Sequence, residues 1–174
     1  MTIRIGFGYD IHRLARRRKL FLGGVELPHP SGLVGHSDGD CLIHALIDAL
    51  LGALGEGDIG QLFPDREPEY KGIRSTELLR RVMVRLGQRN MAVANVDIVI
   101  VAQNPRLAPY STAMKKTLAP ILEIPPANIG IKAKTNEGLG LIGQEKAMAC
   151  WAVALVEKRG RKKASNKVPS FSRH

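Results

Sequence analysis

The chain has 174 residues, 44% of them hydrophobic, which is enough for one buried core and too apolar for a disordered polymer. No apolar run approaches the length of about 18 residues that a bilayer-spanning helix needs, so no membrane partner is expected. The formal charge of +10 is concentrated at one end: Lys158 to Arg173 holds seven basic residues and no acidic one, leaving 19 basic against 16 acidic elsewhere. Nucleic acid is therefore not an expected partner; residues 158–174 read as a basic, disordered tail behind one catalytic domain at 1–157.

Residues 3–14 alternate as a β-strand, and Met1 to Asp10 show no charged-then-apolar leader. Arg16 to Lys19 read as an exposed hairpin loop. Residues 20–27 continue as strand around a turn at Gly23-Gly24, and Pro28 to Gly35 is a loop. Leu42, Ala45, Leu46, Ala49, Leu50 and Ala53 share one helical face, which predicts a helix over 38–54. Ser37 with Asp40 three residues on has the form of a capping box for it. Gly55 to Gly72 is a long, turn-rich acidic loop of the kind that usually serves function. A second amphipathic helix is predicted over 75–89, and a buried strand over 96–102. A helix over 109–122 follows, with Pro120 set to kink or end it. The remaining elements are a strand over 129–134 and a final helix over 143–157.

Alternating helices and strands without repeats or a linker imply an α/β (α+β) single domain, a mixed β-sheet with helices packed on one face. Cys41 and Cys150, each assigned to a helix and neither in a Cys-x-x-Cys pair, read as reduced core residues. They fit a cytoplasmic protein.

Asp10 and His12 are two apart on a strand and project to one face. Two solvated polar residues would give the same pattern. His44, near the start of the first long helix, completes an Asp-His-His donor set that suits zinc and leaves a fourth position open. Asp48, one turn after His44, reads either as the partner of its other ring nitrogen or as a surface carboxylate. His36 stands just ahead of a helix N-terminus, where anions are favoured. In the loop from Gly57, carboxylates suit sugar hydroxyls and glycines let the backbone approach a ligand, although flexible acidic loops look alike. Lys134-Thr135-Asn136-Glu137 ends a buried strand ahead of Gly138 and Gly140, a usual place for ligands in open α/β sheets. Glu137 is suited to a hard ion such as Mg²⁺. No Walker A, dinucleotide or nucleophile-elbow motif is present in the sequence.

Three segments together resemble the motifs of the 2-C-methyl-D-erythritol 2,4-cyclodiphosphate synthase family. They are Ile5 to Leu14 with Asp10 and His12, Gly35 to Ala53 with His36, His44 and Asp48, and Gly57 to Asp65. The resemblance runs in order from residue 3 to about 156. It implies a homotrimer with active sites between subunits and a small-molecule nucleotide substrate. It also implies one Zn²⁺ per site on Asp10, His12 and His44, and a Mg²⁺ or Mn²⁺ on Glu137 between substrate phosphates. His36 and Thr135 match the transition-state-stabilising positions. Substrate-binding positions are implied at Asp10, His12, His36, Ser37, Asp58, Ile59, Gly60, Phe63, Asp65 and Glu67. Others are Ala102, Gln103, Asn104, Pro105, Arg106, Leu107 and Ala108, then Lys134, Thr135, Asn136, Glu137, Leu141 and Gln144.

The implied reaction is closure of 4-diphosphocytidyl-2-C-methyl-D-erythritol 2-phosphate to the cyclic 2,4-diphosphate with loss of CMP. Its nucleophile is already an anion, which agrees with the lack of an evident catalytic serine, cysteine or strong base. Three departures stand out: Lys134-Thr135-Asn136-Glu137 replaces Thr-Thr-Thr-Glu, Arg106 replaces a frequent lysine, and Gln144 and Lys146 replace an arginine and a glutamate of the family's central cavity. Two other readings fit parts of the pattern, a zinc-dependent phosphodiesterase or pyrophosphohydrolase with His36 as base, and a non-catalytic nucleotide- or RNA-associated protein using the tail.

Overall fold

A computed structural model describes residues 2–159; of the tail expected over 158–174, Lys158 instead ends the last strand and the Arg159 N–H donates to the Asn90 carbonyl, while 160–174 lie outside the described residues. Strand β1 (Ile3–Arg16) is followed by a small hairpin, β2 (Leu20–Leu22) and β3 (Val25–Leu27), which form a sheet of their own. The loop expected after it contains a short strand, β4 (Ser31–Leu33), paired with the end of β1. Helix α1 (Cys41–Leu54) is next, then the single turn α2 (Ile59–Leu62) inside the long acidic loop, and α3 (Ser75–Gln88). The chain continues through β5 (Met91–Val101), α4 (Ser111–Leu122), β6 (Ile129–Lys134), α5 (Gly140–Gly143) and β7 (Ala147–Lys158). The main sheet has the order β4-β1-β7-β5-β6, with β5 and β6 parallel and the other pairs antiparallel. It is the mixed sheet expected.

The final helix expected over 143–157 is instead the turn α5 and the central strand β7. The difference has a physical cause. β7 lies between two neighbours and is apolar on both of its faces, so it reads as a nearly continuous apolar run that periodicity cannot separate from a buried helix. Cys150 accordingly sits on a strand rather than in a helix, while Cys41 begins α1; both are buried free thiols.

On β1 the even-numbered residues Gly6, Gly8, Asp10 and His12 share one face, and α1 lies across it. A Cβ on Gly6 would sit 1.8 Å from the Ala49 carbonyl oxygen, and one on Gly8 1.9 Å from that of Ala45. The two glycines thus let the helix backbone ride directly on the strand. Ten of the fourteen residues of α1 are fully inaccessible or nearly so, because the sheet covers one side and α3 and the β2–β3 hairpin cover much of the rest. The other sheet face is open: Ile5 is 69% and Phe7 63% exposed, with Ile3, Tyr9, Ile11 and Val153 beside them. Helix α4 passes through Pro120 and stops at Glu123, which takes a left-handed conformation. Among the described residues no helix is long and apolar enough to cross a membrane.

Candidate metal and phosphate site

Asp10 and His12 leave β1 on the face covered by α1, and His44 descends from the first turn of that helix. Asp10 Oδ2 is 2.9 Å from His12 Nε2 and 3.0 Å from His44 Nδ1, and the two ring nitrogens are 3.0 Å apart. A tetrahedral zinc with ligands at about 2.0–2.1 Å needs donors spaced about 3.3 Å apart. The three atoms therefore form a triangular face that an ion would open by only a few tenths of an ångström. Among the described residues these are the only three acidic, histidine or cysteine side chains so converged.

The electrostatics favour a cation. Burial alone would raise the Asp10 pKa, but hydrogen bonds and charge from His12 and His44 overcome it and hold the carboxyl well below its usual range. Burial alone would lower the His44 pKa, and Asp10 reverses this, so the metal-free imidazole is drawn toward its protonated form. A divalent ion held by Asp10, His12 and His44 would take the place of that proton as the partner of Asp10.

The loop before α1 is built differently from the capping box expected. Asp40, not Ser37, caps the helix: it accepts from the Ile43 N–H at 3.1 Å and from the N–H groups of Gly23 and Gly24 at 3.0 and 2.7 Å. The hairpin turn is thereby tied to the helix start. Burial and the neighbouring Asp38 charge raise the Asp40 pKa, and the three N–H donors oppose the rise. Ser37 is freed from capping, and its Oγ lies 3.0 Å from His44 Nε2. Asp48 does not serve His44; it accepts from the Ile59 N–H at 2.7 Å and so sets the start of α2. The outer partners of His44 are Ser37 and Ser75, the latter 31 positions away on α3, where no local spacing could have revealed it.

The triad lies in a cleft of about 360 Å³ that also receives His36, Ser37, Ile59, Gly60, Phe63 and Asp65. His36 Nε2 is buried there without a hydrogen-bond partner among the described residues, as expected of a group that meets a ligand. Asp58 instead caps α2 by accepting from the Gln61 N–H, and Glu67 begins a one-turn 3₁₀ segment; neither is among the residues lining this cleft.

A second cleft, about 530 Å³, is lined by Ala102, Gln103, Asn104, Pro105, Arg106, Leu107 and Ala108 with Lys134 and Thr135. The parallel pairing of β5 and β6 brings these two segments together, and the Ala102 N–H donates to the Lys134 carbonyl at 3.0 Å. Thr135 donates to Glu137 at 2.6 Å, and the Gly138 N–H reaches Gln103 Oε1 at 3.4 Å. Asn136, Glu137, Leu141 and Gln144 continue from this wall without lining either cleft. Within one chain Glu137 is thus not gathered with Asp10, His12 and His44.

Comparison with known proteins places this geometry among relatives. Residues 3–157 match the model of the YgbB family. The 2-C-methyl-D-erythritol 2,4-cyclodiphosphate synthase of Dechloromonas aromatica (strain RCB) is 53% identical over 160 residues, 92% of this chain and all of the relative. A solved 2C-methyl-D-erythritol-2,4-cyclodiphosphate synthase in its CDP-bound form superposes with a TM-score of 0.82 at 40% identity, covering 88% of this chain and all of the other. The bifunctional IspDF of Campylobacter jejuni superposes with a TM-score of 0.86 at 38% identity; the match spans 90% of this chain but 42% of that one.

Proposed function

The chain belongs to the YgbB family, and from that premise we propose that it converts 4-diphosphocytidyl-2-C-methyl-D-erythritol 2-phosphate to 2-C-methyl-D-erythritol 2,4-cyclodiphosphate and CMP. It is then a phosphorus–oxygen lyase of isoprenoid biosynthesis, the activity in the names of relatives about half identical over their whole length. The observation that carries the reading in the structure is the Asp10-His12-His44 triangle set beside the unpartnered His36 nitrogen in one cleft.

The substrate 2-phosphate attacks the β-phosphorus of the diphosphate, and the bond from that phosphorus to the CMP oxygen breaks. No proton need be removed from the attacker, so the residues must align two anions and offset their charge. Asp10, His12 and His44 would hold a zinc ion, which when bound neutralises phosphate oxygens. His36 points a ring nitrogen to a phosphate oxygen and Thr135 a hydroxyl to another. Ile59, Gly60, Phe63 and Asp65 form the wall for the methylerythritol, with Ser37 beneath the phosphate. Asp58 and Glu67 act through the fold of that loop. The 102–108 segment, with Arg106, and Lys134 to Glu137 hold the cytidine and its phosphates, with Leu141 and Gln144 at the margin. Glu137 would supply a carboxylate to Mg²⁺ or Mn²⁺, which would offset phosphate charge.

Two half-sites on one chain call for a partner. We assign the open apolar sheet face around Ile5, Phe7, Tyr9 and Ile11 to a homotrimer, because a patch of this character is seldom left in water. The trimer joins the triad cleft of one subunit to the 102–108 cleft of its neighbour. Residues 1–157 are the catalytic domain, in the cytoplasm, and the basic residues beyond it are an appendix. The test is His44→Ala: zinc content and CMP release should both be lost with the fold retained. A variant that keeps full zinc and full CMP release overturns the site.

A further inference from the structure

His44 presents its two nitrogens to different worlds. Nδ1 faces Asp10 and His12, and Nε2 faces away from the cleft into a buried polar cluster made by the loop before α1 and the first residue of α3. Ser75, fully inaccessible, places its Oγ 3.0 Å from Nε2. That hydroxyl is also in hydrogen-bond contact with Asp38 Oδ1. The other Asp38 oxygen, Oδ2, accepts from the Ser75 N–H at 3.1 Å and from Arg74 Nε at 3.1 Å. Arg74 is held in turn by the Gly24 carbonyl at 3.0 Å and lies over the Phe21 ring at 4.0 Å, so the hairpin β2–β3 braces the cluster from outside.

Counting protons gives the direction of the bonds at Ser75. A serine hydroxyl has one proton, and a carboxylate can only accept. The Ser75 proton therefore goes to Asp38, and Ser75 Oγ can only accept from His44. The Ser37 hydroxyl, 3.3 Å from Ser75 Oγ, donates to the remaining Ser75 lone pair, and its oxygen, 3.0 Å from Nε2, shares the His44 proton as a second acceptor. His44 must then carry its proton on Nε2, which leaves the Nδ1 lone pair for a metal.

We infer that Ser75 and Asp38 are positioning residues that lock His44 in the Nε2–H tautomer and so aim Nδ1 at the ion. The inference rests on reading Asp10, His12 and His44 as the metal site. Histidine ligands generally depend on such an outer acceptor, and its loss weakens metal binding by about 10- to 100-fold. Here the acceptor is relayed through a hydroxyl at the start of α3, the helix whose Leu78 also lines the cleft.

Asp38→Asn separates this role from simple packing, because it changes no shape. Two donors, the Ser75 N–H and Arg74 Nε, meet Oδ2 at 3.1 Å, against one longer contact on Oδ1 from the Asp40 N–H at 3.3 Å, so the amide oxygen takes the Oδ2 place and its NH₂ faces Ser75 Oγ. The Ser75 proton is then turned toward His44 Nε2, favouring the Nδ1–H tautomer that cannot bind the ion. Zinc affinity is read by competition with a chromophoric chelator, and the His44 ring by ¹⁵N NMR, with folding checked by circular dichroism. The expected result is a roughly 10- to 100-fold weaker zinc affinity and movement of the His44 proton from Nε2 toward Nδ1. Ser75→Ala, which removes the relay, should also weaken zinc, and Ser75→Thr should restore it; these are read in the same way if Asp38→Asn does not fold. Wild-type zinc affinity and an unchanged His44 tautomer in the folded variants would overturn the relay while leaving the metal site intact. Failure of the wild-type protein to bind zinc would overturn the site reading and the relay with it.

Discussion

Gly8→Ala should both destabilise the protein and loosen its metal site, for one geometric reason. The added Cβ would lie 1.9 Å from the Ala45 carbonyl oxygen, 2.7 Å from the Ala49 nitrogen and 2.9 Å from Asp48 Cβ, all but the last being backbone that cannot swing aside. Reaching an ordinary contact of about 3.4 Å requires α1 to back away from β1 by about 1.5 Å. His44 precedes Ala45 and moves with it, whereas Asp10 and His12 stay on the strand. The 3.0 Å separations from His44 then grow toward about 4 Å, past the donor spacing of about 3.3 Å that zinc accepts. Overpacking of this kind costs about 1–3 kcal/mol. Sites also work poorly when a ligand is more than about 0.5 Å out of place, so zinc affinity should fall at least about tenfold. Urea unfolding gives the first quantity and chelator competition the second. Gly52→Ala is the internal control on the same helix: its Cβ would meet nothing nearer than the Phe7 carbonyl at 3.8 Å. That substitution should leave zinc unchanged and add up to about 1 kcal/mol from helix propensity. Wild-type stability and affinity in Gly8→Ala would refute the claim that this close approach sets the metal geometry.

Other outcomes follow from the same contacts. Asp40→Ala strips acceptors from three backbone N–H groups and should cost about 3 kcal/mol in urea unfolding, from the lost helix cap and two unpaired donors. The depressed Asp10 pKa contributes stability present above its ordinary 3.8 and lost as pH falls through the folded value. The raised His44 pKa contributes stability that is full below its ordinary 6.5 and lost as pH rises through the folded value. Metal-free protein should therefore show the largest benefit of this pair between roughly pH 4 and 6.5, read from urea midpoints against His44→Ala. Zinc must displace the His44 proton, so its affinity, measured calorimetrically, should instead weaken as pH falls. If the open sheet face seats the proposed trimer, Phe7→Glu, which puts a charge there, should give monomers in light scattering where the unmodified chain gives trimers, and abolish CMP release without unfolding the chain.

Much of this site could be read along the chain because its parts are local patterns. Asp10 and His12 are two apart on a strand, His44 sits on a strongly periodic helix, and both elements formed where the spacing put them. What escaped was set by tertiary contact. Ser75, to which the sequence assigns no role, meets His44 where Asp48 was one candidate, because helix spacing says which residues share a face, not which element will pack there. Ser37 and Asp40 both suit a cap, and only the hairpin turn, with two N–H groups to satisfy, decides for Asp40. The strand β7 has the sequence pattern of a buried helix because it is central in the sheet and its apolar residues on both faces hide the alternation. The reason for Gly6 and Gly8 lies likewise in the helix above them.

The most direct test of the proposed chemistry is ³¹P NMR of the products formed from 4-diphosphocytidyl-2-C-methyl-D-erythritol 2-phosphate in ¹⁸O-enriched water. Cyclisation uses an oxygen already on the substrate, so CMP and a cyclic diphosphate should appear with no isotope-shifted resonance. A linear phosphate product carrying one solvent ¹⁸O would show that the site activates water, and would contradict the account.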